Sequence, residues 1–273
     1  MKKLFLFAGC LISLGCGGGG GESSDCSTLG AKIFGGETCN QSSRSPVVQI
    51  VTLVQRGNSA EEPYSICSGA LVSLNKVLTS AHCFDDSLTQ LEREQGFSIS
   101  GFIARVGGDQ GETIRLSQFI LHPGYNETGP AGSPFDIAVA SLSRVPNPPI
   151  GPIPLLVSEV TVPGSEITAF GYGTNDEGTD SILKAESFVV SEARGGNLNV
   201  VGDGDTSICP GDSGGPAVYT TKSGTVALAG VNSFVNREGL CIDAAADSFG
   251  FVDIQFLPVF DFIVSQVPDL AAG

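Results

Sequence analysis

Cys209-Pro-Gly-Asp-Ser-Gly-Gly-Pro216 is the stretch from which the rest of the chain can be read. A serine hydroxyl is a weak nucleophile near neutral pH. It needs a base to take its proton, and donors to hold the negative charge that forms on the carbonyl oxygen it attacks. Glycines around Ser213 let the backbone bend so that its N–H and that of Gly211 can converge on one small space. Gly, Asp, Ser and Pro also make ordinary turns, so the reading depends on what stands elsewhere.

The chain holds two histidines, which makes the search for a base short. His82 lies in Val77-Leu-Thr-Ser-Ala-His-Cys83, an apolar run ending beside a cysteine, and His122 in Leu121-His-Pro-Gly-Tyr125. An imidazole that takes a proton needs a carboxylate to hold its tautomer and stabilise the imidazolium. Asp136, in Phe135-Asp-Ile-Ala-Val139, is the candidate, because an acid opening an apolar strand is costly to bury without a partner. Taken singly, His82 could be a packed core histidine and Asp136 a strand-end cap. The chain order His82, Asp136, Ser213 argues for one assembly instead, and it is the order of chymotrypsin-type triads.

Here the sequence resembles the chymotrypsin/trypsin family of serine endopeptidases, from Ile33 to about Val267. Ile33-Phe-Gly-Gly36 is similar to the family's new amino terminus, and Cys67-Ser-Gly-Ala-Leu-Val72 to the strand before its histidine. Thr79-Ser-Ala-His-Cys83 and Asp136-Ile-Ala-Val139 match the base and orienter motifs. Gly171-Tyr-Gly-Thr174 is similar to a Gly-Trp-Gly segment, although the chain has no tryptophan, and Gly230-Val-Asn-Ser-Phe234 to the substrate-binding strand. The resemblance implies an all-β fold of two six-stranded antiparallel β-barrels with the active site in the cleft between them, followed by a short C-terminal helix. It also places His122 in a structural His-Pro-x-Tyr loop.

Composition agrees. Gly 37 and Pro 15 punctuate the chain, and short apolar or alternating runs lie between turn residues: 47–54, 70–77, 114–121, 137–142, 166–172, 226–234 and 249–254. That pattern favours a sandwich or barrel. Phe256, Val259, Phe260 and Ile263 repeat at helical spacing and predict a helix over 255–267. The run Val145-Pro-Asn-Pro-Pro-Ile-Gly-Pro-Ile-Pro154 lacks too many backbone donors to be a central strand. It reads as the crossover between a first barrel at about 33–145 and a second at about 155–273, which together make a peptidase domain over 33–273. A net charge of −15 argues against nucleic-acid binding, which wants a basic face.

Lys2 and Lys3 followed by the apolar stretch 4–14 read as a signal peptide over 1–15, too short to span a membrane as a helix. Leu14-Gly-Cys16 and the glycines 17–21 resemble a bacterial lipoprotein signal, with Cys16 as the lipidated residue and 16–32 as tether and propeptide. Ser13 departs from the usual aliphatic residue there, and plain secretion is the competing reading. Without Cys10 and Cys16, six cysteines remain, an even set that in an exported chain suggests disulfides. Sequence alone leaves the pairing open. The resemblance implies Cys67–Cys83 and Cys209–Cys241, which leaves Cys26 for Cys39. The spacing of Cys and His does not look like a zinc finger, and the chemistry needs neither metal nor organic cofactor.

The resemblance further implies that cleavage at Lys32-Ile33 frees an amino group that inserts beside Asp212. A buried carboxylate lacking a cation costs several kcal/mol, so Asp212 is expected to stay misplaced until Ile33 supplies one. Cys26 and Cys39 flank that bond, so a cut chain would stay tied to its propeptide. In the substrate pocket, Ser207 falls where trypsin-like relatives carry an aspartate, with the apolar Ile208 beside it. Ser233, Phe234 and Val235 align with a Ser-Trp-Gly wall, so that Val235 narrows the entrance. Uncharged, small to medium apolar side chains before the scissile bond are expected, and an activating protease other than this one at Lys32. Asp203 and Asp205 could restore a basic preference if the loop is shifted. The partners are protein or peptide substrates. Two rival readings are a latent binding protein on a protease scaffold, and an esterase, whose nucleophile motif and triad order usually differ.

Overall fold

A computed structural model describes residues 37–38, 45–84, 96–106, 111–129, 131–174, 182–202, 206–235 and 248–270. Among these the chain forms β1 (Glu37–Thr38), β2 (Val47–Gln55), β3 (Glu62–Leu71), β4 (Lys76–Thr79), β5 (Ser98–Val106), β6 (Glu112–Leu121), β7 (Ala138–Leu142), β8 (Glu166–Gly171), β9 (Lys184–Val189), β10 (Glu192–Arg194), β11 (Asn197–Val201), β12 (Pro216–Thr220), β13 (Val226–Val235) and β14 (Ser248–Asp253). A 3-10 turn covers Ala81–Phe84, and helix α1 spans Leu257–Gln266.

The first six long strands close into a barrel in the order β2-β3-β4-β7-β6-β5. Closure needs strands that are apolar inside and can also pack outside, and β2 shows both: Val48 and Ile50 face the barrel interior while Val47 joins a second core. The other half is an eight-stranded sheet, β1-β9-β8-β12-β13-β14-β11-β10. Two barrel-like sheets are therefore present; the second carries β1 and β10 as extra edge strands. Its own interior is built on Ile167, Phe188, Leu198, Phe249 and Phe251.

A third apolar cluster joins the halves. It brings Val47, Leu78 and Ile137 of the first barrel against Phe170, Tyr172 and Val231 of the second. Tyr172, fully buried, donates its hydroxyl to the Val47 carbonyl at 3.3 Å, so the one polar atom of a large ring is satisfied across the seam. The Pro-rich segment straps the same seam: Ile153 N–H donates to Leu71 O at 2.8 Å, and Leu228 N–H to Pro154 O at 2.8 Å. Helix α1 begins with Pro258 in its first turn and buries Val259, Phe262 and Ile263 in the joining core.

One expected strand is corrected. Residues 70–77 are the end of β3, a reversal, and the start of β4, with Val72 N–H returning to the Lys76 carbonyl at 2.9 Å. Val72 is buried inside the reversal, which keeps the run apolar although Ser73 and Asn75 turn it. Strand β5 does not stand out in the sequence, because Ser98, Ser100 and Gly101 dilute its apolar residues.

Candidate active site

His82 sits on the 3-10 turn that follows β4, between the buried Ala81 and Cys83, with its side chain about one third exposed, at 34%. The Cys67–Cys83 disulfide anchors that turn to β3, the pairing expected from the resemblance. Asp136 stands just before β7, the strand that pairs with β4, so neighbouring strands of one barrel deliver both side chains to the same rim. Asp136 Oδ2 lies 2.8 Å from His82 Nδ1, and Oδ1 accepts the His82 backbone N–H at 2.9 Å. A proton on Nδ1 facing the carboxylate leaves the lone pair on Nε2, the tautomer a general base requires.

Asp136 is 5% exposed, and burial by itself would push its carboxyl up; the His82 charge and the hydrogen bonds from His82 and Ser233 outweigh it and hold the carboxyl below its ordinary value. Ser233 Oγ donates to Asp136 Oδ2 at 2.6 Å. The second barrel therefore completes an acid–imidazole pair that the first barrel carries. Sequence reasoning put Ser233 only on a pocket wall; a hydroxyl adjoining the wall residues Phe234 and Val235 was the available signal.

The turn 209–215 belongs to the second barrel and packs on the first. Ser68 N–H donates to the Ser213 carbonyl at 2.7 Å, and Cys83 Sγ lies 3.9 Å from that same oxygen. Ser213 is thereby held beside the residue that follows His82. Ser68 Oγ donates to the Gly211 carbonyl at 2.8 Å and accepts the Tyr172 N–H at 2.9 Å, which fixes the Gly211 peptide by its oxygen. Gly211 has φ +96° and Gly214 φ +84°, a region that costs side chains dearly. A Cβ on Gly214 would also collide with Thr79 Oγ1 and the Ser68 carbonyl. Among the described residues, neither the Gly211 nor the Ser213 N–H donates to a protein acceptor, while Asp212, Gly214 and Gly215 all do.

Asp212 itself is fully buried. Its Oδ1 accepts the Gly173 N–H at 2.8 Å and its Oδ2 the Cys209 N–H at 2.8 Å. Burial raises its carboxyl to about 6, against the pull of those two N–H groups and of the Lys184 charge. The carboxylate lies inside and bonded, because the backbone of the Gly171-Tyr-Gly173 segment offers it a donor; Ile33, the residue expected to supply its cation, lies outside the described residues. Asn232, also fully buried, donates from Nδ2 to the carbonyls of Asp212 and Phe170, at 2.9 and 3.0 Å. Ser68 and Asn232 lie in the segments 67–72 and 230–234 singled out in the sequence, but neither motif announced these contributions.

The expected pocket residues divide. Ser233, Phe234 and Val235 line a cleft with His82, Tyr125 and Asp136, whereas Ser207 and Ile208 are buried beside Cys209. Cys209 is disulfide-bonded; its expected partner Cys241 lies outside the described residues, as do Cys16, Cys26, Lys32, Ile33, Cys39, Asp203 and Asp205. His122 takes a structural place, stacked on Phe135 at 4.6 Å with Nε2 3.3 Å from the Pro258 carbonyl, and burial lowers its pKa. The ligand atoms of Cys67, His82 and Cys83 come within 4.8 Å of one another, but both sulfurs are spent in a disulfide, so this group is not a thiolate site.

A barrel pair that seats a carboxylate-bound imidazole against a glycine turn bearing serine defines the serine hydrolases of the double-barrel type. The chain belongs to the trypsin family, whose model matches residues 33–254, and it is a trypsin/chymotrypsin-like serine endopeptidase. It is 27% identical over 220 residues to a trypsin of Saccharopolyspora erythraea, covering 74% of this chain and 86% of the relative. It is 25% identical over 238 residues to chymotrypsin-like elastase family member 1 of Macaca fascicularis, covering 81% and 85%. In fold it is similar to the solved structure of HL collagenase, with a TM-score of 0.64 at 21% identity, covering 86% of this chain and 99% of the other.

Proposed function

We propose that this endopeptidase works through an acyl-enzyme on Ser213, with His82 as base and Asp136 as the group that orients it. His82 takes the Ser213 proton as Oγ attacks a peptide carbonyl, and the N–H groups of Gly211 and Ser213 hold the oxyanion. His82 then protonates the leaving amine, and water repeats the sequence to free the acyl group. The observation that carries this is the 2.8 Å pair of His82 Nδ1 and Asp136 Oδ2, set beside a turn whose two N–H groups are uncommitted among the described residues. Ser213→Ala tests it: peptide hydrolysis should vanish while the thermal midpoint holds. Hydrolysis at an unchanged rate would move the nucleophile elsewhere and sink the reading.

The same reading covers activation. β1 begins four residues after Ile33 and pairs with β9, with Thr38 opposite Lys184. Four residues reach at most roughly 14 Å, so a freed Ile33 amino group is tethered close to the strand whose Lys184 side chain bonds the Gly173 carbonyl at 2.6 Å. Cutting at Lys32-Ile33 is therefore read as adding a cation for Asp212. Uncharged apolar side chains are favoured before the scissile bond. Ser207 is fully buried and brings no charge to a Lys or Arg, and Val235 stands with Phe234 on the cleft wall. Relatives named trypsin and elastase match about equally, so the argument rests on these residues. A peptide panel varied at that one side chain checks it, and strong preference for Arg would overturn it. Cleavage after Lys32 then falls to another protease.

Export follows from Lys2, Lys3 and the apolar 4–14 run, and attachment through lipid on Cys16 from Leu14-Gly-Cys16. With Cys26 bonded to Cys39 across the cut, activation leaves the catalytic chain on its tether. Recovery of the cut chain in the soluble fraction without reductant would count against this.

A further inference from the structure

Two hollows meet the catalytic groups, and they share no lining residue. One is bounded by His82, Asp136 and the wall of Ser233, Phe234 and Val235, which takes the acyl half of a substrate. The other, of about 480 Å³, has Pro210 and Gly211 of the nucleophile turn on its lining, together with Tyr64 and Ile66 of β3. A peptide whose acyl half lies along 233–235 must carry its leaving half off the turn another way, and this second hollow is open to it. Among its described lining residues Arg105 is the one that bears a charge.

The barrel places Arg105 there. Arg105, Gln49 and Ser68 are cross-strand neighbours on β5, β2 and β3. Val48, Ile50, Ala104 and Val106 beside them point into the barrel core, so strand alternation turns Gln49 and Arg105 to the outer face. Gln49 is buried, and its Oε1 accepts Arg105 Nη1 at 2.9 Å, which fixes one edge of the guanidinium. At the other end of the row, Ser68 Oγ holds the Gly211 carbonyl at 2.8 Å. The row therefore runs from the anion-holding turn to a cation across two strand spacings, roughly 10 Å. An extended peptide advances roughly 3.3 Å per residue, so the second or third residue after the scissile bond comes abreast of Arg105. Arg115 and Arg144 of the same barrel each pair with a glutamate. Arg105 is half-buried, and among the described residues no carboxylate pairs with it.

We propose that Arg105 is a specificity-determining residue that binds an acidic side chain at the second or third position after the scissile bond. This rests on the acyl-enzyme reading and adds to it the chemistry of the leaving half. A guanidinium offers five N–H donors, of which Gln49 takes one, and its planar fork matches a carboxylate. Tyr64 and Ile66 on the same hollow displace water, which strengthens the attraction. The net charge of −15 acts the other way at long range. It is screened beyond about 8 Å at physiological salt, so the selection is a contact effect.

The test uses the full chain, cut by immobilised trypsin and freed of it. Quenched fluorescent peptides share, up to the scissile bond, the sequence that the parent cuts best in the panel above, and carry Glu or Gln at each following position in turn. For the parent, Glu should raise kcat/KM about tenfold over Gln at the second or third position, since a charged hydrogen bond in a cleft outweighs an exposed ion pair. In Arg105→Gln that ratio should fall to about one, and in Arg105→Glu the preference should turn to Lys over Gln at the same position. Each ratio compares two peptides on one protein, so any loss of folded enzyme cancels. A parent that cuts the peptides without preferring Glu at either position would overturn the assignment of Arg105 and leave the acyl-enzyme reading standing. A preference for Glu that survives in Arg105→Gln would do the same. A parent that cuts none of the peptides would overturn the acyl-enzyme reading, and this proposal with it.

Discussion

Each barrel buries one aspartate next to a residue of the triad, and the two behave oppositely. Asp136, from the first barrel, meets an imidazole at 2.8 Å and a hydroxyl at 2.6 Å, and its carboxyl is held below the ordinary value. Asp212, from the second, meets two peptide N–H groups with a lysine one peptide away, and its carboxyl is raised to about 6. Both are buried, so burial does not separate them. What separates them is a chargeable partner in direct contact, and the difference matches the work: Asp136 must stay charged through a proton transfer, while Asp212 is poised where an added cation can change its state.

The largest effect available to break this comparison is at Asp136. Asp136→Asn should lower kcat by roughly four orders of magnitude, because the amide would hold the wrong tautomer of His82; stopped assays on a peptide ester and amide would read it. A loss below tenfold would mean that the 2.8 Å pair is structural.

The next test uses stability against pH and sharpens the contrast. A carboxyl raised on folding stabilises the fold below its unfolded value of 3.8, and loses that contribution as pH rises through about 6. Relative to Asp212→Asn, the parent should therefore weaken by roughly 3 kcal/mol between those limits. Asp136 has the opposite sign. Its contribution is present above 3.8 and is lost as pH falls through its lower folded value. Urea midpoints of the two Asn variants and the parent, taken from below pH 3.8 to above 6, should show the Asp212 contribution falling as pH rises from 3.8 through about 6 and the Asp136 contribution falling as pH drops below 3.8; curves that move together would erase the distinction.

A smaller effect is expected from the hydroxyl that joins the barrels. Ser233→Ala removes a hydrogen bond to a charged acceptor, worth about 1.5–3 kcal/mol, and kcat/KM should fall by about ten- to a hundredfold with KM little changed. A paired backbone control completes the set, and its Gly224 arm is the smallest effect of all. Gly214 and Gly224 share nearly the same φ, +84° and +85°, but a Cβ on Gly224 meets nothing within 4 Å. Gly224→Ala should cost about 1 kcal/mol, while Gly214→Ala, blocked by Thr79 and Ser68, should abolish folding or activity. Equal costs would show that crowding around the nucleophile turn is not what demands glycine there.

Much of the site was legible as motifs. His82, Asp136 and Ser213 each sit in a short run whose neighbours serve the same local purpose, and chain order joins them. Ser233 was legible as a residue but not in its role, because the acceptor of its hydroxyl lies 97 positions away. Ser68 and Asn232 stood in recognisable segments without a role, and Lys184 left no local trace. A lysine opening an amphipathic strand reads as solvated, and only the packing of β9 against the Gly173 segment puts it inside. The reversal at Val72 was lost for a related reason: a turn buried between barrels keeps an apolar sequence.

The sequence by itself determined the chemistry of this chain, since a nucleophile, base and acid must be particular residue types in particular short contexts. The tertiary structure decided how those groups are tuned. Whether a carboxylate is held down by an imidazole and a hydroxyl, or raised and balanced by a lysine across one glycine, depends on distances of a few ångströms between strands far apart in the chain. Coulomb energies and hydrogen bonds vary steeply over such distances, and residue order does not specify them.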